Sequence, residues 1–251
     1  MYFHLNKYVY LAYFNSEIIA LNLLKDQYII LSEGVANIVF LALNNKFDQE
    51  HGRYILVYNK YFLPKDFDEI IKSLQDNDIF SNETFDYPTV RLLKKGRPSA
   101  GASNIDWRML NNDLDAKVPG KVIIEAYFLL IKVYFLLKIF GFYGLIKSIK
   151  RHSRELCVDK DCKDFLNLVA ALNKACFYFP VRVKCLEWAA ALTFMGLRRK
   201  WKCNIEIGVQ NLPFAAHAWV TVNGEVLADN SSLPETLSVI LSEPFVDGGL
   251  T

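Results

Sequence analysis

The strongest constraint on the fold is a hairpin signal in the last fifty residues of the 251-residue sequence. The segment from Ala215 to Val222 is rich in aromatic and β-branched residues, which are typical of a strand. Asn223-Gly224 follows directly, and this dipeptide strongly favours a type I′ hairpin turn. The returning strand is predicted from Glu225 to Asp229. This region is therefore predicted to form an antiparallel sheet.

The predicted hairpin brings an imidazole close to a carboxylate. His217 and Asp229 lie at similar distances from the turn, so antiparallel pairing places them near one another across the ladder. A carboxylate in that position can accept a hydrogen bond from one ring nitrogen and fix the tautomer of the imidazole. The pair can serve as a general base if a nucleophile lies nearby.

A thiol is predicted at the start of a helix that precedes the hairpin. After Pro180, apolar residues recur at helical intervals from Leu186 to Leu197, so Cys185 falls in the first turn. A helix N-terminus and a neighbouring imidazolium both lower the pKa of a cysteine. Cys185, His217 and Asp229 are therefore the candidate catalytic residues. A lone cysteine is also typical of a small core residue and a lone histidine of a core or surface residue, so the catalytic interpretation depends on the combination of the three.

The segment that carries these residues resembles the B proteins of lasso peptide biosynthesis, which are leader peptidases with a transglutaminase-like fold. The resemblance comprises Cys185-Leu186, Ile207-Gly208-Val209, Pro213-Phe214, His217-Ala218-Trp219-Val220 and Asp229. It implies a papain-like site in which Cys185 is the nucleophile, His217 the general base and then acid, and Asp229 the orienting carboxylate. Two positions, Trp188 and Gln210, depart from the family's pattern and put substrate contacts in doubt.

The resemblance also implies a substrate and a partner. The substrate is a ribosomally made precursor peptide whose leader is removed, and the partner is an asparagine-synthetase-like lasso cyclase that uses ATP. The protein itself is expected to need no cofactor. Two alternatives stay open: an acyltransferase or transglutaminase that uses the same triad, because an acyl-thioester also reacts with amines, and a non-catalytic scaffold that delivers the precursor.

The N-terminal third predicts a small α+β unit. Three runs of aromatic and branched residues predict a three-stranded meander at Tyr8–Phe14, Glu17–Leu21 and Gln27–Leu31. Ser32 is predicted to cap a first helix, and a second helix is predicted from Asp66 to about Gln75. Strands followed by helices favour an α+β arrangement.

This layout resembles the winged-helix-like recognition domain of peptide-modifying enzymes, often called a RiPP recognition element. The resemblance implies that the leader adds a strand to the sheet edge and packs on a helix. The expected leader contacts are Tyr28, Ile30, Phe67, Ile70 and Leu74, although each of these side chains is also typical of a domain core. The whole chain is thus predicted to be α+β, with a recognition domain at 1–80, a linker at 81–120 and a peptidase domain at 121–251.

The apolar segment from Val122 to Ile149 is predicted to be a buried helix that ends near Gly141 or Gly144. Charged residues interrupt it at Glu125, Lys132 and Lys138, and their cost in a bilayer argues against a membrane span. A peripheral helix on a membrane surface is the alternative, which is favoured by the basic residues that follow: Lys147, Lys150 and Arg151.

Charge and cysteine content exclude other classes. The 29 basic and 27 acidic residues nearly balance and are dispersed, so nucleic-acid binding is not expected. The cysteines, together with His152, match no common zinc spacing, and no metal site is predicted: Cys157, Cys162, Cys176, Cys185 and Cys203. No secretory signal is recognised, and the cytoplasm is the expected location.

Overall fold

The chain forms two compact units, residues 1–96 and 97–251. The structure is a computed structural model that describes residues 5–14, 17–43, 47–48, 53–55, 61–62, 64–81, 117–153 and 157–245. The division between the units falls inside the segment predicted as a linker, of which residues 82–116 lie outside the described ranges. The boundaries near 80 and 120 stay predictions.

Unit 1 contains the predicted three-stranded meander. The strands β1 (Val9–Tyr13), β2 (Ile18–Asn22) and β3 (Gln27–Leu31) pair in sequence order, and all pairs are antiparallel. Every residue of β2 is buried, as expected for a central strand. Among the described strands, β3 therefore forms one edge of this sheet.

Two helices of unit 1 contribute to a hydrophobic core with this sheet. They are α1 (Glu33–Leu43) and α2 (Pro64–Asp76), and the predictions of both helices are confirmed. The shared core includes Val9, Ile18 and Leu31 from the sheet and Ile38 and Phe67 from the helices. A second small antiparallel sheet, which the sequence analysis did not predict, contains β4 (Phe47–Asp48), β5 (Arg53–Ile55) and β6 (Tyr61–Phe62). Its strands have only two or three residues, too few for a periodicity signal.

The first described helix of unit 2 is a broken helix, α3 (Gly120–His152). The break is at Gly141, whose φ of +62° is readily adopted only by glycine. Lys132 Nζ lies 3.3 Å from His152 Nε2, whereas twenty residues of straight helix span about 30 Å, so the second segment folds back along the first. The expected end near Gly141 is thus a break, and the helix continues to His152. None of the described helices is long and apolar enough to cross a membrane.

The rest of unit 2 combines helices with a four-stranded antiparallel sheet. The helices α4 (Cys162–Phe177) and α5 (Cys185–Arg198) both pack against α3. The sheet contains β7 (Asn204–Gln210), β8 (Ala215–Val222), β9 (Glu225–Leu227) and β10 (Ser238–Glu243) in the order β10-β7-β8-β9, with a short helix α6 (Leu233–Thr236) before β10. The helix α5, which carries Cys185, also packs against β7 and β8.

Two partly buried ion pairs connect the elements of unit 2. The Glu125 carboxylate in α3 accepts hydrogen bonds from both terminal nitrogens of Arg199, at 3.1 and 2.7 Å, just after α5. Lys150 Nζ, near the end of α3, lies 2.7 Å from Glu243 Oε1 in β10. Bidentate and buried ion pairs restrict the relative positions of the elements that they connect more than exposed ion pairs do. They fix one end of α3 against the residue that follows α5 and the other end against β10.

Candidate active site

Cys185 is the first residue of α5. The preceding residue, Lys184, has an extended backbone, and its N–H donates a hydrogen bond to Glu187 Oε2 at 3.2 Å. This is one half of a capping box, and it satisfies a backbone donor that the helix itself cannot satisfy. Glu187 was not among the predicted residues, although an acidic residue three positions after the N-cap residue is a known signal of a helix N-terminus. The prediction that Cys185 lies in the first turn is confirmed.

His217 lies in the middle of the sheet and is only 3% exposed. It pairs with Gly208 of β7, and its ring lies beside that of Trp219 with a centroid distance of 6.1 Å. The Trp219 indole donates to Glu206 Oε2 at 3.0 Å. A Cβ at Gly208 would lie 2.5 Å from the Trp219 ring, so glycine is needed there. Gly208 thus makes room for the tryptophan that packs beside the histidine.

The predicted turn is present, but the returning strand is shorter than expected. Asn223 and Gly224 have φ values of +52° and +80°, as a type I′ turn requires. However, β9 ends at Leu227, and Ala228 has a φ of +55° that turns the chain out of the ladder. The prediction that the strand extends to Asp229 is therefore wrong. Asp229 approaches the histidine from a bend rather than from a ladder position.

The structure nevertheless brings the three candidate residues together. Asp229 Oδ2 lies 2.8 Å from His217 Nε2. The His217 side chain is also hydrogen-bonded to Cys185, and since Nε2 is engaged by Asp229, Nδ1 is the nitrogen that remains for the sulfur. Asp229 Oδ1 accepts the N–H of Asn230 at 2.8 Å, which fixes the carboxylate. The arrangement is a connected thiol, imidazole and carboxylate.

The two reactive groups have opposite pKa shifts. Burial alone would raise the pKa of the Cys185 thiol, but hydrogen bonds from His217 and from the backbone of Ala218 outweigh it, so the pKa is lowered. Burial alone would lower the pKa of His217, but hydrogen bonds to Asp229 and Cys185 outweigh it and raise the pKa to about 9. Both shifts favour the charged forms, a thiolate on Cys185 and an imidazolium on His217.

Two backbone N–H groups also favour the thiolate, and the sequence analysis missed them. They belong to Leu186, the next residue of α5, and to Ala218 in β8. Counted away from the turn, the pairing of β8 with β9 ends at Val220. Ala218 is two residues further from the turn, so its N–H lies on the edge that β9 leaves uncovered. The early end of β9 thus leaves a backbone donor for the sulfur. No residue pattern indicates where a three-residue strand ends, so the signal was absent.

The two departures from the expected family pattern are structural. The Trp188 indole donates to Asn173 Oδ1 at 2.9 Å, and Gln210 Nε2 donates to the backbone oxygen of Pro213 at 2.8 Å. Both side chains are buried. Their hydrogen bonds lie within unit 2, so these side chains serve the fold.

Comparison with known proteins agrees with this geometry. The family model of the transglutaminase-like superfamily matches residues 128–242, a range that contains all three candidate residues. The matched residues lie within unit 2 and make up less than half of the whole chain. The predicted α+β class with a transglutaminase-like fold is therefore confirmed, and an N-terminal three-stranded sheet precedes this domain.

The sequence is also similar to a curated relative, the microcin J25-processing protein McjB of Escherichia coli. The two are 27% identical over 124 residues, which cover 47% of this chain and 58% of McjB. The match thus spans little more than half of that relative's length. No solved structure matches the chain at comparable significance. The similarity to McjB and the transglutaminase-like domain together support the resemblance to the B proteins of lasso peptide biosynthesis.

The candidate leader-binding residues of unit 1 divide into two groups. Ile30 is 49% exposed, and Tyr28 and Ile70 are partly buried. Phe67 and Leu74 are only 3% and 4% exposed and belong to the hydrophobic core of the unit. A buried core side chain cannot contact a peptide unless the core opens. The side chains of this set that a leader peptide can reach are therefore Tyr28, Ile30 and Ile70.

The remaining cysteines form no metal site. Within the ranges that the structure describes, no cluster of three His, Cys, Asp or Glu side chains could hold a metal ion. All five cysteines are free thiols. Burial raises the pKa of Cys176 to about 12 and raises that of Cys203 as well. Cys185 therefore differs from them in its pKa shift.

Proposed function

We propose that this protein is a leader peptidase that cleaves the precursor of a lasso peptide. The hydrogen-bonded series from Asp229 through His217 to Cys185 is the observation that carries the proposal. The similarity to the microcin J25-processing protein supports a peptide precursor as the substrate.

The first half of the reaction forms an acyl-enzyme. The Cys185 thiolate attacks the carbonyl carbon of the last leader residue, and a carbon–sulfur bond forms. Backbone N–H groups at the start of α5, with that of Cys185 as the first candidate, stabilise the oxyanion. The His217 imidazolium then donates its proton to the amine nitrogen, and the carbon–nitrogen bond breaks. The core peptide leaves with a free N-terminal amine.

The second half regenerates the enzyme. His217, now neutral, accepts a proton from water as the oxygen attacks the thioester carbon. The carbon–sulfur bond breaks, the leader leaves as a carboxylic acid, and the thiolate and imidazolium re-form. Asp229 keeps the imidazole oriented and stabilises its cationic form throughout. No cofactor is needed for either half.

Exposed apolar side chains in the two segments that precede Cys185 and His217 along the chain support a peptide substrate. Tyr178 and Val181 are 72% and 47% exposed in the segment that leads into Cys185. Leu212 and Phe214 are 72% and 44% exposed in the turn that leads into β8 and His217. Because both segments lead directly into a catalytic residue, we infer that they contact apolar substrate side chains near the scissile bond.

Unit 1 is proposed to bind the leader. An added leader strand would pair with the β3 edge, with side-chain contacts to Tyr28 and Ile30 and to Ile70 of α2. Binding there raises the effective concentration of the scissile bond at Cys185. The core amine that is released is the group that an asparagine-synthetase-like cyclase would use. Five free thiols favour a reducing compartment, and we propose a cytoplasmic location.

Precursor cleavage by the wild-type protein and by Cys185→Ala tests the proposal. Mass spectrometry should detect a leader that ends in a free acid with the wild type and no cleavage with the variant. A Cys176→Ala variant is the matched control, because it removes a buried thiol outside the triad and should keep cleavage. Cleavage that persists in Cys185→Ala would reject the triad.

Acyl transfer is the second candidate, because the matched superfamily is described as transglutaminase-like. The same reaction with an added primary amine separates the two. A leader amide of the added amine supports transfer, and leader acid alone supports hydrolysis. If the wild type binds the precursor and forms neither product, the protein is a delivery scaffold.

A further inference from the structure

A basic cavity lies at the end of α5 that is opposite to Cys185. It has a volume of about 510 Å³ and is lined by Leu129, Lys132, Arg151, His152, Leu197 and Arg198. The fourteen residues of α5 separate its two ends by roughly 20 Å. The cavity is therefore distinct from the candidate active site, and the proposed peptidase mechanism does not use it.

Among the described residues, no carboxylate contributes to holding the lysine of the basic cavity in place. Lys132 Nζ lies 4.1 Å from the centroid of the Phe194 ring and 3.3 Å from His152 Nε2. His152 Nδ1 lies 2.8 Å from the backbone oxygen of Ser148, which can only accept, so Nδ1 carries the proton and Nε2 accepts from Lys132. Lys132 therefore supplies the positive charge of this pair.

Positive charge at the basic cavity exceeds negative charge. Over the described part of the chain, no carboxylate forms an ion pair with Lys132 or Arg151. Arg198 lies 3.7 Å from Glu125, but that carboxylate already accepts two shorter hydrogen bonds from Arg199. Burial, and next the charge of Arg198, lower the pKa of Lys132, which agrees with an uncompensated cationic cluster.

We propose that the basic cavity binds a phosphate or pyrophosphate group of a small soluble compound. Three cations suit a phosphate dianion or a pyrophosphate better than a single carboxylate, and two of them are guanidinium groups that can bind phosphate oxygens in pairs. The cavity has the size of a small-molecule site and exceeds a bare phosphate. Leu129 and Leu197 are buried in its wall and offer apolar contacts to an organic part.

Binding of pyrophosphate and inorganic phosphate to the full-length protein tests this proposal. Equilibrium dialysis and the midpoint of thermal unfolding are measured at constant ionic strength, with chloride as the balancing anion. Saturable binding is expected for the wild type, and Lys132→Gln should weaken it at least tenfold. Arg198→Gln should have the same effect, and because its side chain is 54% exposed, folding should be retained. Lys138→Gln is the matched control, since Lys138 is exposed on the same helix and does not line the cavity.

The outcomes are distinct from those of the peptidase test, because no cleavage is measured. Binding by the wild type and by Lys138→Gln, with loss in the two cavity variants, supports the proposal. Absence of saturable binding, or equal binding by Arg198→Gln, overturns it. Vesicles that contain phosphatidylglycerol form a second arm. If they bind in a Lys132-dependent manner while pyrophosphate does not, the ligand is a lipid headgroup and the proposal of a soluble compound fails.

Discussion

At the scale of single residues, hydrogen bonds decide the state of Cys185. Burial opposes the thiolate, and the largest contribution that favours it comes from the His217 side chain, followed by the N–H of Ala218. Asp229 acts one step away, since its hydrogen bond favours the imidazolium. The reactivity of the thiol therefore depends on the whole series of three residues and on one backbone donor.

Removal of the Asp229 charge should change both the rate of precursor cleavage and the pH dependence of that rate. The active form carries a thiolate and an imidazolium, so kcat/KM should rise as Cys185 deprotonates and fall as His217 loses its proton near pH 9. Asp229→Asn removes the carboxylate charge that raises the pKa of His217, so the alkaline limb of the profile should move to lower pH. The rate should fall about 100-fold or more. Glu235→Gln, which changes an exposed acid in α6, should leave the profile unchanged.

Alkylation should distinguish Cys185 from the other cysteines. At pH 6.5, iodoacetamide should modify Cys185 first, because its pKa is lowered, whereas burial protects Cys176 and Cys203. Peptide mapping by mass spectrometry measures the rate at each site. His217→Ala should slow modification of Cys185, and the control His152→Ala, which changes a histidine near the other end of α5, should not. Equal rates at Cys185 in wild type and His217→Ala would contradict the ion pair.

At the scale of elements, the site depends on how closely two strands and one helix start approach. Gly208 allows Trp219 to lie beside His217, and the short β9 exposes the N–H of Ala218 to the sulfur. The half capping box between Lys184 and Glu187 fixes the residue at which α5 begins. Small features at strand and helix ends therefore set the catalytic distances.

Gly208→Ala should lower the stability of unit 2 and the rate of cleavage together. The new Cβ would lie 2.5 Å from the Trp219 ring and 2.7 Å from Leu237, so the packing beside His217 must shift. The free energy of unfolding should fall by about 1–3 kcal/mol, measured by denaturant titration. Gly34→Ala in α1 meets open space and should be neutral or slightly stabilising. An unchanged stability of Gly208→Ala would show that the strand pair adapts freely.

Leader recognition should depend on the β3 edge. Ile30→Arg places a charge where an apolar leader contact is proposed, and the affinity for the precursor, measured by fluorescence anisotropy, should fall about tenfold or more. Leu24→Arg is the matched control, because Leu24 is 57% exposed in the turn before β3. A similar loss in both variants, or in neither, would contradict binding along this strand.

At the scale of the whole molecule, the sequence predicted the elements better than their ends. The hairpin at Asn223-Gly224, the helix that begins at Cys185 and the meander of unit 1 were all predictable, because turn residues and apolar periodicity are local signals. The fold-back of α3 at Gly141 was not predictable, because it depends on contacts between distant residues such as Lys132 and His152. The early end of β9 was not predictable either, because no residue pattern indicates where a three-residue strand ends. Phe67 and Leu74 were predicted to contact the leader but belong to the core of unit 1. Periodicity predicts that a helix face is covered, but it does not predict whether a ligand or the domain core covers that face.

An acid-quenched reaction with the precursor can measure whether Cys185 forms an acyl-enzyme. The wild-type protein is mixed with excess precursor, quenched within the first turnover and analysed by peptide mass spectrometry. The proposed mechanism predicts a peptide containing Cys185 that carries the leader through a thioester, and this adduct should be absent from Cys185→Ala. Complete cleavage of the precursor by Cys185→Ala, or a leader adduct on any other residue, would contradict the mechanism.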